Sequence, residues 1–219
     1  MAPEASPLAI FRKWAADPDL VVLDTETTGL DSHSEVIEIA VVSASGEVLL
    51  NERVKPINGG PWAASAIHGI TDADLVTCPE WPLVWPRLAC LLEGKTVVVY
   101  NASFDQRMLR QSLSWAGVPR EECESPVLSH WQCAMGAYAP IHGDWSDYHG
   151  NYRWARLGVA CLTEDVQVDD LDDAHSALGD ALRTLRLVQA VARREDASLT
   201  HLCLTCSGPT DDCDCEAPA

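Results

Sequence analysis

Leu20-Val-Val-Leu-Asp-Thr-Glu-Thr-Thr-Gly-Leu30 begins with four apolar residues and ends on acids, threonines and a glycine. An apolar run this short, closed by polar residues, reads as a buried strand over Leu20 to Asp24. Downstream, Val36 to Val42 is rich in β-branched residues, and Gly46 turns the chain into a third strand through Val54. Upstream, Leu8, Phe11 and Trp14 recur at helical spacing and predict a short helix over residues 8 to 16. Residues 56 to 81, rich in Pro, Gly and Trp, read as loops with short helical pieces. A helix follows over Trp85 to Leu92, stopped by Gly94, then a buried strand over Thr96 to Tyr100. The next helix, Ser103 to Ala116, ends at Gly117, and Ser125 to Trp131 supplies a fifth strand. Asp173 to Arg194 is the clearest helix, with Leu178, Leu182, Leu185 and Val188 on one face. A meander followed by strand–helix alternation predicts an α/β fold around a mixed five-stranded sheet flanked by helices.

The chain has 219 residues, 47% of them hydrophobic and 22% charged, which suits one compact domain with a short attachment. That excludes a wholly disordered chain and a fibrous repeat. Lys and Arg number 15 against 33 Asp and Glu, for a formal charge of −18. Such a surface repels phosphate backbones, so non-specific coating of a duplex is excluded as the main activity. A small site that recruits cations remains compatible with nucleic acid. No apolar stretch approaches the roughly 18 residues of a membrane span, and Pro3, Glu4, Pro7 and Asp17 interrupt any signal-peptide core. The expectation is a cytoplasmic protein with no membrane partner.

Three clusters carry chemistry. Asp24 and Glu26 are two apart on a strand, so both carboxylates project to one face. Two anions side by side call for a positive partner, and hard divalent cations with oxygen ligands are the usual one; the plain alternative is a solvated strand end. Asn101-Ala-Ser-Phe-Asp105 follows the strand ending at Tyr100, at the carboxyl end of the sheet, where α/β folds bind ligands. Its plain alternative is a helix cap by Asn101 or Ser103. The third cluster is His175-Ser-Ala-Leu-Gly-Asp180. Five residues turn a helix by about 500°, so the two side chains share a face only if His175 precedes the helix and Asp180 lies inside it. Seven acids from Glu164 to Asp180, with no base among them, are expected to raise the imidazole pKa and help it accept a proton.

Taken in order, Leu23-Asp-Thr-Glu-Thr-Thr-Gly-Leu30, Ile67-His-Gly-Ile-Thr71, Asn101 to Asp105 and His175 to Asp180 resemble the DEDDh family of 3′–5′ exonucleases over roughly residues 20 to 192. The resemblance implies a ribonuclease H-like fold. It also implies that Asp24, Glu26, Asp105 and Asp180 bind two Mg²⁺ or Mn²⁺ ions and that His175 is the general base. The expected reaction releases nucleoside 5′-monophosphates from 3′ ends of single-stranded DNA or RNA, with the cations activating water and bracing the leaving oxygen. By the same resemblance Thr27, Thr28 and Leu30 meet the terminal sugar, Ile67 and His68 pack on the last base with Asn101 close by, and Phe104 stacks near it; a core aromatic is the plain reading of Phe104. DNA is favoured over RNA, an exoribonuclease being the alternative. Arg107, Arg110 and Arg183 are candidates for phosphate contacts, or else ordinary solvated helix residues.

Two further features stand apart. Residues 138 to 154 carry Tyr138, Trp145, Tyr148, Tyr152 and Trp154, either as a stacking platform for a single strand or as a self-packed loop. His142 and His149 are candidate zinc ligands within it. Among the nine cysteines, Cys203, Cys206, Cys213 and Cys215 crowd together near the end of the chain, as a structural Zn²⁺ knuckle or as free thiols in an acidic tail. The division that follows is an N-terminal extension or helix over 1–19, an exonuclease domain over 20–195, and a Cys-rich tail over 196–219. A DNA polymerase or another protein is the candidate partner, and a non-catalytic accessory protein the alternative function. Nothing in the sequence defines the oligomeric state.

Overall fold

The meander forms as β1 (Leu20–Thr27), β2 (Val36–Ser43) and β3 (Val48–Arg53), antiparallel at both junctions. In the computed structural model, which describes residues 7–60, 62–171 and 175–195, β4 (Thr96–Val99) and β5 (Gln132–Cys133) join parallel to β1 on its other side. The sheet order is β3-β2-β1-β4-β5, the mixed five-stranded sheet expected. The helices are α1 (Pro7–Ala16), α2 (Ser65–His68), α3 (Asp72–Leu75), α4 (Trp81–Leu92), α5 (Ala102–Trp115), α6 (Arg120–Cys123), α7 (Ala134–His142), α8 (Leu157–Thr163) and α9 (Ala177–Ala192). A two-stranded hairpin, β6 (Trp145–Ser146) with β7 (Asn151–Tyr152), stands outside the main sheet.

The period-2 alternation of β1 divides the core. Leu20 and Val22 pack with Leu8 and Phe11 of α1, Tyr138 of α7, and Leu185 and Val188 of α9. Val21 and Leu23 face the other way, into a cluster with Trp81, Val84 and Leu88 of α4 and Met108 and Leu109 of α5. The helix at the N-terminus is therefore built into one covering layer. Beyond Leu23 the same alternation continues with polar residues, and it decides which acid meets which helix.

Three elements depart from the sequence reading. The segment 125–131 is not the fifth strand. Ser125 accepts a bond from the Val127 N–H and Pro126 opens a 3-10 turn over Pro126–Leu128, so pairing starts only at Gln132. Proline's fixed φ and missing donor outweigh the β-branched Val127. α4 begins four residues earlier than the pattern suggested, because Pro82 falls in the first turn, where its missing N–H costs nothing. The last helix begins at Ala177 rather than Asp173, with Ser176 as its cap accepting from the Gly179 N–H; residues 172–174 are outside the described set.

Candidate active site

Asp24 and Glu26 continue the Leu20–Val22 face of β1 and so point to the α9 side. There they meet Asp180, in the first turn of that helix. Carboxylate oxygens of Asp24, Glu26 and Asp180 all lie within 4.8 Å of one another, the one such group of metal-type ligands among the described residues. Thr25 continues the opposite face, and its buried hydroxyl donates to Asp105 Oδ1 at 2.7 Å. Asp105 is itself buried in the first turn of α5. The strand thus brings three of the four acids together directly, with the fourth held on its other flank through Thr25.

The charges here are strongly opposed. Burial, then the neighbouring Asp105, Asp180, Glu26 and Glu38, push the Asp24 carboxyl well above the carboxylate range. Burial followed by Asp180, Glu38 and Asp105 moves Glu26 up to about 8. Asp105 rises to about 7 through burial, against the Thr25 hydrogen bond that pulls it down. Among the described residues, Arg183 faces the group at close range: its Nη1 sits 3.0 Å from Asp180 Oδ1, both side chains largely buried. An all-oxygen set of acids this crowded and this short of cations fits a hard divalent ion, and fits zinc-type Cys or His chemistry poorly.

His175 is exposed at φ 75°, a left-handed conformation that costs energy for a residue with a side chain. It lies just ahead of Ser176, as the spacing required, and near enough to His68 to be felt electrostatically. His68 is braced: its Nδ1 accepts from the Ile70 N–H at 3.1 Å, which leaves Nε2 to donate to the Thr27 carbonyl at 3.2 Å. Burial depresses its pKa, consistent with a neutral ring. The Thr27 hydroxyl donates to the Gly29 carbonyl, and the Thr28 hydroxyl accepts from the Glu35 N–H, so both brace the turn after β1.

Beside the acids opens a cleft of about 730 Å³ whose wall carries Glu26, Leu30, Trp62, Ile67, His68 and Phe104. Leu30 and Ile67 are 77% and 62% exposed, apolar side chains left in water at the mouth. Phe104 is half in the α5 core and half in the cleft, with the Arg107 guanidinium 5.3 Å over its ring. Asn101 occupies the cap position of α5 without accepting from a backbone N–H of the helix; its Oδ1 accepts instead from the Ser103 hydroxyl. Trp62 was not singled out from the sequence. Its only signal was membership of the Trp- and Gly-rich stretch before Ile67.

Of the three arginines, Arg107 stays exposed, whereas Arg183 departs from the solvated reading. Arg183 is buried on Asp180, Arg107 donates to the Leu30 carbonyl, and Arg110 to the Leu128 carbonyl. In the aromatic segment Trp145 and Tyr152 pack edge to face across the hairpin at 4.9 Å. Tyr138 is buried, with its hydroxyl on Glu164, whereas Tyr148 and Trp154 stay 91% and 71% exposed. His142 and His149 join no group of three metal-type ligands among the described residues. Cys203, Cys206, Cys213 and Cys215 lie outside those residues.

Residues 21–188 match the RNase T family, described as exonuclease. An uncharacterised exonuclease of Escherichia phage 186 is 35% identical over 182 residues, 83% of this chain and 92% of that protein. A DNA polymerase III subunit epsilon-like protein of Rhodobacter capsulatus is 32% identical over 186 residues, 80% of this chain but only 24% of that longer protein. Among solved structures, Exonuclease X in complex with 5′ overhanging duplex DNA superposes with a TM-score of 0.57 at 26% identity, covering 78% of this chain and 90% of that one. The nuclease domain of 3′hExo, a DEDDh family member bound to rAMP, shares the fold with a TM-score of 0.59 at 14% identity over 78% and 90%.

Proposed function

Because the chain belongs to the RNase T exonuclease family, we propose that it is a divalent-metal-dependent 3′–5′ exonuclease acting on single-stranded DNA ends, with RNA ends as the second substrate. The observation that carries this reading is the set of Asp24, Glu26 and Asp180 oxygens within 4.8 Å of one another, with Asp105 tied to the strand between them. Asp24, Glu26, Asp105 and Asp180 would hold two Mg²⁺ or Mn²⁺ ions. Bound there, the cations would acidify the attacking water and offset the charge gathering on the leaving oxygen.

The chain's own residues do the rest. Thr25 fixes one oxygen of Asp105, and Arg183 fixes one oxygen of Asp180. A ring nitrogen of His175 takes the proton that the attacking water gives up, a step worth about 10²–10⁴ in rate. Leu30, Ile67 and Phe104 offer apolar surface to the terminal nucleotide, and Thr27, Thr28 and His68 hold that surface in shape. Stacking of this kind tolerates any base. The preference for DNA rests on the likeness to the epsilon-like protein, which also favours association with a polymerase as the partner. We assign residues 20–195 to catalysis, 1–19 to an N-terminal extension, and Cys203, Cys206, Cys213 and Cys215 to a structural Zn²⁺ in the tail.

The test is digestion of matched 5′-labelled single-stranded DNA and RNA with Mg²⁺, with Asp24→Ala and EDTA as controls. A ladder shortening from the 3′ end, absent in both controls and faster on DNA, is the expected result. A faster ladder on RNA moves the protein to the exoribonuclease branch, and no cleavage with either Mg²⁺ or Mn²⁺ overturns the enzyme reading.

A further inference from the structure

The two residues of the last motif, His175 and Asp180, straddle the first turn of α9, and something must hold that turn against β1. Ser176 serves the Gly179 N–H. The Ala177 N–H, buried and one of the donors a helix start leaves without an intrahelical partner, is served from outside the helix. It donates to Glu38 Oε2 at 2.9 Å, across 139 residues of sequence. Glu38 lies on β2, directly opposite Glu26 in the antiparallel register, and is only 7% exposed. Its other oxygen, Oε1, accepts from Arg53 Nε of β3 at 3.1 Å. A third carboxylate beside two acids that already repel would cost stability for nothing if it were merely structural. Here each of its two oxygens has a donor, the Ala177 N–H at the start of α9 and the Arg53 guanidinium.

We propose that Glu38 is a positioning residue: its carboxylate ties the start of α9 to the middle of the sheet, so that His175 and Asp180 arrive at the β1 acids in one fixed geometry. The chain Arg53–Glu38–Ala177 is then a brace running from the edge strand through β2 to the helix. The inference rests on the reading of His175 and Asp180 as members of the reactive site. It goes beyond that reading by giving a role to a residue outside the five matched positions. His175 makes the brace necessary. A side chain held at φ 75° keeps that conformation only where the surrounding structure fixes it, and Ala177 is two residues away.

Two variants of nearly equal length separate this from a packing role. Glu38→Gln keeps an oxygen that accepts from Ala177; Glu38→Met keeps the volume but offers no comparable acceptor. Steady-state cleavage, thermal melts and amide hydrogen exchange of the peptide spanning 175–180 are measured for both. In Glu38→Met, kcat is expected to fall by about ten- to a hundredfold with KM changed by less than about threefold, the scale of lost orientation at a reacting centre. Exchange at 175–180 should accelerate, while the β1 and β2 peptides stay protected. Glu38→Gln should restore most of kcat and of the protection. Wild-type exchange at 175–180 in Glu38→Met overturns the proposal, as does an unchanged kcat. A Glu38→Met chain that loses its fold overturns it too, since Glu38 would then support the whole sheet. If the wild type cleaves nothing, the enzyme reading fails, and exchange at 175–180 alone decides whether the brace exists.

Discussion

Replacing Glu26 by Gln should make the metal-free protein more stable at neutral pH while removing what the site is for. Glu26 is shifted from an ordinary value of 4.5 up to about 8 by burial first, then by the charges of Asp180, Glu38 and Asp105. The folded state therefore holds a proton that the unfolded chain releases, and stability falls as pH rises through the interval between those two values. One proton over one pH unit is worth about 1.4 kcal/mol, so warming in pH from about 5.5 to about 7.5 removes up to about 2.7 kcal/mol through this one group. Glu26 borders an open cleft, and solvent and counterions there reduce the loss to roughly 1–2 kcal/mol. At roughly 2–4 °C per kcal/mol for a chain of this size, the wild-type Tm in EDTA should drop by roughly 2–8 °C across that range on account of Glu26. In Glu26→Gln this part of the slope vanishes, and the EDTA Tm at the upper pH rises above wild type. Mg²⁺ should stabilise the wild type more at the upper pH than at the lower, because fewer protons must leave, and should stabilise Glu26→Gln far less. Scanning calorimetry at the two pH values, with EDTA and with Mg²⁺, reads all four quantities. A variant less stable than wild type in EDTA at the upper pH, with the pH slope intact, would refute the reasoning.

Thr25→Val removes the hydroxyl on Asp105 at little change in shape. Losing a hydrogen bond to a buried carboxylate, about 1.5–3 kcal/mol, should push the Asp105 pKa, now about 7, further up and shift the acidic limb of the pH–rate profile to higher pH; an unshifted limb would show that Asp105 does not titrate with activity. Gly29→Ala should raise KM and cost stability on the order of 1–2 kcal/mol, because a Cβ there would stand 2.7 Å from Ser34 Oγ, itself bonded to Asp31; a wild-type KM and melt would mean the turn gives way freely. For the tail, elemental analysis of the full chain should find one Zn²⁺ per molecule, lost in Cys203→Ser with cleavage unaffected. Less than one equivalent in the intact wild type removes the zinc assignment.

The parts of this molecule that could be read from sequence are those where one local rule acts alone. The apolar run before Asp24, the turn at Gly46 and the leucine face of the last helix each follow a single periodicity, and each forms where it was expected. The fifth strand failed because two rules competed over the same residues: Val127 favours a strand, while Pro126 and the Ser125 cap favour a tight turn, and local geometry prevailed. Arg183 departed for a different reason. Charge on a helix reads as solvated by default, yet Arg183 is buried on Asp180, and the need for that counter-charge is visible only once Asp180 is known to face Asp24 and Glu26. Glu38 escaped notice because its partner, the Ala177 N–H, lies 139 residues away in sequence.

The acid set itself follows from one strand's geometry. Along β1, even-numbered residues face α9 and odd-numbered residues face α5, so Asp24 and Glu26 reach Asp180 while Thr25 reaches Asp105. Asp105 remains the foremost charged neighbour of Asp24 even so, with the Thr25 hydroxyl holding one of its oxygens. The pairing register is continuous from Val21↔Ser43 to Glu26↔Glu38 and shifts only between Glu26 and Thr27. The irregularity therefore begins one residue past the last acid. The extra residue is Ile37 on β2, so β1 itself keeps its alternation through Glu26. Because the shift comes after the last acid, Glu38 keeps its place opposite Glu26, and β1 ends at Thr27, where the chain turns through Thr28 to Leu30. The two acids of β1 thus stand in regular strand, and the turn over Thr28–Leu30, which borders the cleft, begins directly after it.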